Sequence, residues 1–407
     1  MSNEPGRQGL PLSGLTVIDC GQLVAGPMIG MILADFGADV IKVENPAGGD
    51  PLRTFGAPRD GIPLYWKFLS RNKRSLNLAL NTPAGQDLFV RLVEKTQADV
   101  VIEAFRPGTM ERWGLGYDQL RQVDPGLILV RVSGFGQTGP YRGRPGFGTL
   151  SEAMSGFAHM TGQPDGPPTL PPIALADSVT ALYAASGVLL ALRVRDASED
   201  GRGQMIDASL LESLFSFLGN QLVEYDQLGV VAQRIGNRAP TSAPRNLYPT
   251  ADGKWIAISG TTQSVVRRLF DLMGRPGLLL DPRFSTPRAR VVNVESLDEI
   301  VAAWLAQRTR DDALALLVDA EVPAAPVSDM ADLAEDPHLL ERKAIVSVDD
   351  ADLGPIRMPA VLPRLTDTPG TIRHAGPRQG NANEDVYQGL LGLSASDVAQ
   401  LHADGVL

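Results

Sequence analysis

The sequence predicts an α/β chain on a parallel, Rossmann-like sheet, because strands of buried type alternate with helices through its N-terminal third. Thr16-Val-Ile-Asp-Cys20 reads as a buried strand, Pro27 to Phe36 as a helix with proline in its first turn, and Asp39-Val-Ile-Lys-Val-Glu44 as the next strand. A helix from Pro83 to Thr96 then feeds a strand at Asp99–Glu103, and a helix at Tyr117–Val123 feeds Leu127–Ser133. Strands joined by helices are placed side by side in parallel, since a parallel pair needs a long crossover.

Further along, Ser178–Val194 and Leu210–Leu228 read as long helices flanking Gly201-Arg-Gly-Gln204 and a short strand, Met205–Ser209. The first of them is almost wholly apolar and is expected to be buried. From Gly229 the texture turns to Gly236-Asn237-Arg238, Pro240, Pro244 and Pro249, followed by a strand at Lys254–Ser259 and helices near 263–273 and 295–319. The expectation is a large domain over 1–228, a smaller α/β domain over 229–330, and a segment, 331–407, that returns to the large domain.

A length of 407 residues and 43% hydrophobic content suit two buried cores. No apolar run approaches the roughly 20 residues of a bilayer span, and Met1–Arg7 lacks the apolar stretch of a signal peptide, so a cytoplasmic protein without a membrane partner is expected. Cys20 is the single cysteine, which removes disulfide and CxxC chemistry. A net charge of −10 argues against a nucleic-acid partner. Basic residues nevertheless gather between Lys42 and Arg112, among them Arg53, Lys67, Arg71, Lys73, Arg74 and Arg106, and could face phosphates or merely solvent.

Gly134-Phe-Gly136-Gln-Thr-Gly139 has the spacing of a dinucleotide fingerprint, but Pro140-Tyr-Arg-Gly-Arg-Pro145 follows where the fingerprint needs a helix. It is a turn. Four dispersed histidines, with no P-loop, HExxH or GxSxG, leave metal and serine-hydrolase mechanisms without support. Asp177 precedes the apolar helix in Pro171-Pro-Ile-Ala-Leu-Ala-Asp177-Ser178, where residue physics alone reads it as an ordinary N-cap.

Read together, Ala25-Gly-Pro27, Leu33-Ala-Asp-Phe-Gly-Ala-Asp-Val-Ile-Lys-Val-Glu44, Asn72-Lys-Arg-Ser75, Phe105-Arg-Pro-Gly108, Ser133-Gly-Phe-Gly-Gln-Thr-Gly-Pro140 and Gly201-Arg-Gly-Gln204 give the chain a specific resemblance. It resembles the class III CoA-transferases, the formyl-CoA transferase and carnitine CoA-transferase family, over nearly its whole length. The resemblance implies a Rossmann-like large domain from both chain ends, a small domain, and an interlocked-ring homodimer. It implies Asp177 as nucleophile, with CoA carried as substrate, a carboxylic acid as acceptor, and no metal or redox cofactor. For CoA it points to Leu23, Val24, Ala25, Asn72, Lys73, Arg74, Phe105 and Arg112.

Three departures stand out. Asn45 replaces an arginine of some relatives, Ala104 replaces an asparagine of many, and Gly148 stands where formyl-CoA transferase has glutamate and many others aspartate. Loss of a carboxylate beside Asp177 would reduce repulsion of a second substrate carboxylate, as in a branch acting on succinyl-, mesaconyl- or related dicarboxylyl-CoA. Glu152 reads as an outward-facing helical glutamate, with replacement of that carboxylate as the other reading. The rival activity, 2-methylacyl-CoA racemase, needs a histidine beside an aspartate, and its Gly-His-Asp motif would fall on Gly146-Phe147-Gly148.

Overall fold

Six strands form one all-parallel sheet in the computed structural model, which describes residues 9–407. They are β1 (Thr16–Cys20), β2 (Asp39–Glu44), β3 (Lys73–Asn77), β4 (Val100–Glu103), β5 (Ile128–Ser133) and β6 (Met205–Ser209). Their order is β3-β2-β1-β4-β5-β6. Both faces are covered, which is why the central strands are near-continuous apolar runs. On one face Leu88, Phe89, Leu92 and Val93 of α2 (Pro83–Thr96) pack with Ile18, Ile41 and Val101; on the other, Ile29 and Leu33 of α1 (Ala25–Asp35) pack with Val17, Val40 and Val100.

The strand β3 is not legible in the sequence because Lys73, Arg74, Ser75 and Asn77 give it no apolar alternation. Buried polar contacts hold it instead, as Lys73 and Ser75 are inaccessible and reach Asp19 and Glu44.

Next come α3 (Gly148–Met154), α4 (Leu175–Ala197), α5 (Leu210–Ser216) and α6 (Gly219–Leu228), the last two replacing the single helix expected over 210–228. The expected burial of the apolar helix holds for one face of α4 only. Ala181, Ala184, Ala185 and Val188 pack on the sheet side, while Leu182, Leu189, Leu190 and Val194 are exposed. Its 23 residues do reach bilayer-spanning length, but the inner face belongs to the core of the sheet unit.

The chain divides into two units. One comprises the residues up to Phe157, Leu170–Val223 and Arg342–Leu407; the other comprises Ala158–Thr169 and Glu224–Glu341. The second has its own antiparallel sheet, β7 (Arg245–Pro249), β8 (Trp255–Ser259) and β9 (Ala324–Pro326), covered by α7 (Gln263–Leu272), α8 (Val294–Leu305) and α9 (Arg310–Asp319). The C-terminal stretch forms a hairpin, β10 (Ile345–Asp350) and β11 (Gly354–Pro359), and then completes the first unit. There Trp66 Nε1 donates to the Pro377 carbonyl at 2.7 Å and Val406 and Leu407 enter the core.

Candidate active site

Strand order reverses at β1, so the connections leaving β1 and β4 diverge and open a crevice at their C-terminal ends, the place where open α/β sheets bind ligands. A cleft of about 420 Å³ occupies it. Gln22, Leu23 and Ala25 follow β1; Ala104, Phe105 and Arg106 follow β4; Ser133 and Gly134 end β5; Phe147, Asp177 and Leu210 close the lining. A second cavity of about 230 Å³, which shares Gln22, Phe105 and Trp113 with the first, extends past β2 and β3 to Asn45, Leu78, Leu80 and Asn81.

Asp177 is not the N-cap of its helix. The helix starts two residues earlier, at Leu175, and the cap residue Ala174 has no side chain to offer. Its free N–H groups are satisfied from elsewhere: that of Ala176 donates to Glu152 Oε1 at 3.2 Å, and that of Leu175 is shared between Glu152 Oε1 at 3.0 Å and the Ile173 carbonyl at 2.8 Å. Glu152 is therefore buried, at 3% exposure, and not the outward-facing glutamate that its position in a helix suggests. Capping by Glu152 leaves the Asp177 side chain available to the cleft.

Burial pushes the Asp177 carboxyl up to about 6, and the negative charge of Glu152 adds to the effect; the backbone N–H groups of Asp177 itself and of Ala25 oppose it by favouring the ionised form. Among the described residues no basic side chain pairs with Asp177. Gly148 opens α3 directly against it: a Cβ there would lie 2.1 Å from Asp177 Oδ2. The missing side chain at 148 is thus what makes room for the carboxylate in this orientation.

The turn that presents Ala25 is held by buried charges. Lys73 Nζ donates to Asp19 Oδ2 at 2.9 Å and to the Pro27 carbonyl at 2.6 Å, and Asp19 Oδ1 accepts the Gly21 N–H at 2.9 Å. Lys42 donates to the Gly21 carbonyl and pairs with Asp50 at 3.0 Å, while Asp50 Oδ1 accepts the Leu23 N–H at 3.0 Å. Leu23 takes φ 62°, a left-handed conformation that costs a non-glycine residue about 1–3 kcal/mol and is sustained here by that bond.

Of the residues singled out from sequence, Leu23, Ala25, Phe105 and Asp177 line the cleft. Val24 is turned inward against Leu52 and Trp66. Arg112 is exposed and donates to Thr109, a cleft residue, at 2.9 Å. Asn72, Lys73 and Arg74 do not come to the cleft. They sit at the N-terminal end of β3, the opposite end from the crevice, with Asn72 on Asp35, Lys73 on Asp19 and Arg74 on Asp39. The basic cluster as a whole is mostly internal: Lys42, Lys67, Arg71 and Lys73 are buried and paired with carboxylates. It is not a phosphate-facing surface, because its charges are spent inside the fold. Arg106 alone of that group lines the cleft. Sequence reasoning passed over Gln22, Trp113, Leu78 and Asn81; recognising β3 as a strand would have directed attention to the residues after it. Glu103 also acts locally, accepting the Phe105 N–H at 2.7 Å while burial pushes its carboxyl up to about 7 against the pull of Arg131.

Residues 12–383 match CoA-transferase family III. The chain is 44% identical over 402 residues, 98% of its length and 99% of the relative's, to the succinyl-CoA–D-citramalate CoA-transferase of Chloroflexus aurantiacus. It is 36% identical to the succinate–glutarate CoA-transferase of Agrobacterium fabrum, over 96% of this chain and 98% of that one. In structure it resembles a CaiB/BaiF family protein from Brucella suis with a TM-score of 0.85 and 34% identity, covering 94% of this chain and 100% of the other.

Proposed function

We propose a succinyl-CoA-dependent reaction for this chain, which belongs to CoA-transferase family III and is an enzyme of that class. The donor is succinyl-CoA, the acceptor a second dicarboxylic acid of the hydroxy-dicarboxylate kind, and Asp177 is the covalent nucleophile. The observation that carries the reading is a partly buried carboxylate lining the cleft at the switch point of the sheet, with no basic side chain paired to it among the described residues. The names of the succinyl-CoA–D-citramalate and succinyl-CoA–L-malate enzymes of Chloroflexus aurantiacus support the substrate class.

In this mechanism an oxygen of ionised Asp177 attacks the thioester carbonyl, the C–S bond breaks, and CoA thiolate leaves behind a mixed anhydride. The thiolate then attacks the Asp177 carbonyl, breaking the anhydride C–O bond; succinate departs and an aspartyl-CoA thioester remains. The acceptor carboxylate repeats the two steps in the opposite sense, taking the CoA and restoring Asp177. Every electron pair comes from carboxylate or thiolate, so the scheme calls for no metal or redox cofactor. The Ala25 N–H, which already favours negative charge on Asp177, is placed to stabilise the oxyanions formed there.

The phosphates of CoA fall to Arg106 and Arg112 at the mouth of the cleft, and the second cavity, walled by Phe105 and Trp113, suits an adenine ring. With glycine at 148 no second carboxylate side chain stands beside Asp177 from that position, which lowers the repulsion a second substrate carboxyl group would meet. Phe147 and Gly148 bring no proton-transferring side chain to the positions where racemisation would require them. The exposed apolar side of α4, with Leu182, Leu189, Leu190 and Val194, supports a homodimer that covers it.

The test is CoA transfer from succinyl-CoA to a panel of dicarboxylic acids, read by mass spectrometry for wild type and Asp177→Asn. New acyl-CoA products from wild type alone support the reading. Equal transfer by both proteins removes Asp177 from the mechanism.

A further inference from the structure

The first turn of α4 presents backbone N–H groups at Leu175, Ala176 and Asp177, and the residue before them, Ala174, cannot cap them. A buried carboxylate from another helix, Glu152 on α3, takes two of the three. Asp177 already accepts its own backbone N–H while it lines the cleft; without Glu152 the freed N–H groups of Leu175 and Ala176 would compete for its carboxylate and draw it away from the cleft. The same Glu152 carboxylate faces Asp177 as a like charge.

We propose that Glu152 is a positioning residue for Asp177: its carboxylate holds the Leu175 and Ala176 N–H groups at the N-terminus of α4, so that Asp177 is not drawn onto them and stays aimed into the cleft, and its negative charge tunes the nucleophile. The inference rests on the reading of Asp177 as nucleophile. It assigns to Glu152 two separable effects, one carried by an acceptor oxygen and one by charge.

The geometry makes the separation experimental. Glu152→Gln keeps the chain length and an oxygen that accepts both N–H groups but removes the charge. Glu152→Ala removes both. The other groups facing Asp177 do not change: Tyr65, whose hydroxyl is itself pushed up by burial and by the Asp177 charge, the Ala25 N–H, and Arg106 farther along the cleft lining. With the charge of Glu152 gone, Asp177 ionises at lower pH and becomes a weaker nucleophile once ionised.

The experiment measures kcat/KM for succinyl-CoA-dependent transfer from pH 5 to 9 in the full-length wild type, Glu152→Gln and Glu152→Ala. It is accompanied by mass analysis of the Asp177 peptide for a CoA adduct. In Glu152→Gln the acid limb moves to lower pH and the plateau falls by a few-fold. In Glu152→Ala the limb moves at least as far, because Asp177 now accepts the freed N–H groups, and the plateau drops roughly tenfold further because those bonds pull it from the cleft. A Gln variant with the wild-type acid limb overturns the charge effect, and an Ala variant with the plateau of the Gln variant overturns the anchoring effect. An Asp177 adduct in wild type, with both variants unchanged, sinks this proposal while leaving the nucleophile in place. Absence of any adduct in wild type removes the nucleophile, and the proposal goes with it.

Discussion

Two buried carboxylates on neighbouring elements of this sheet unit meet opposite fates. Asp19, at the core of β1, is fully buried, yet the charges of Lys42 and Lys73 and hydrogen bonds from Lys73 and Gly21 hold it below the usual carboxylate range. Asp177 is less deeply buried, has Glu152 for a neighbour in place of a lysine, and is pushed up to about 6. Burial is common to both; the counter-charge is what differs. A paired carboxylate is fixed in place and serves as a strut, here for the turn at Gly21–Ala25, whereas an unpaired one retains the basicity and freedom that attack on a thioester demands.

The comparison breaks most visibly under substitution of the two aspartates. Asp177→Asn should cut product formation by about a thousandfold or more, read as new acyl-CoA by mass spectrometry, while the protein stays folded. Asp19→Asn should do the reverse, leaving two buried lysines short of a partner and costing about 3–5 kcal/mol in a urea titration. An Asp19→Asn protein as stable as wild type would erase the distinction drawn here.

Gly148→Ala probes the room given to Asp177. The added methyl group meets only the end of a short side chain, 2.1 Å from Oδ2, so the fold should persist while the carboxylate is displaced. A displacement on the order of 1 Å predicts a loss of about a hundredfold in kcat/KM with an unchanged urea midpoint. Retained activity would show that Asp177 does not act from this position.

Stability should then carry the signature of the raised carboxyl. Its folded value, about 6, lies above the unfolded 3.8, so the folded state holds a proton that the unfolded state has released between those values. That stabilisation is complete below pH 3.8 and is lost as pH rises through 6. Asp177→Asn escapes the loss and should be about 3 kcal/mol more stable than wild type at pH 8, the difference vanishing near pH 3. The smallest effect concerns rate: with ionised Asp177 as attacker, wild-type kcat/KM should climb about tenfold per pH unit below 6 and level off above it.

Much of the frame is legible without coordinates. β1, β2, β4 and β5 announce themselves because strands buried on both faces must be apolar along their length, and the helices between them compel a parallel arrangement. β3 escaped because its buried residues are ionic, and an ion pair such as Lys73 with Asp19 joins positions 54 apart that no local pattern connects. That omission also hid where Asn72, Lys73 and Arg74 lie: the strand direction puts them at the end of the sheet opposite the cleft, on Asp35, Asp19 and Asp39.

By itself, the sequence determined the α/β class, the family resemblance and Asp177 as the residue to examine, since these depend on periodicity and on the order of motifs along the chain. Only the tertiary structure decided that Asp177 stands inside its helix, that Glu152 caps that helix from 23 residues away, and that Gly148 makes space for the carboxylate. Which charge lies beside which is a property of packing, and on that account one buried carboxylate is held as a paired strut while the other keeps a raised carboxyl with no basic partner among the described residues.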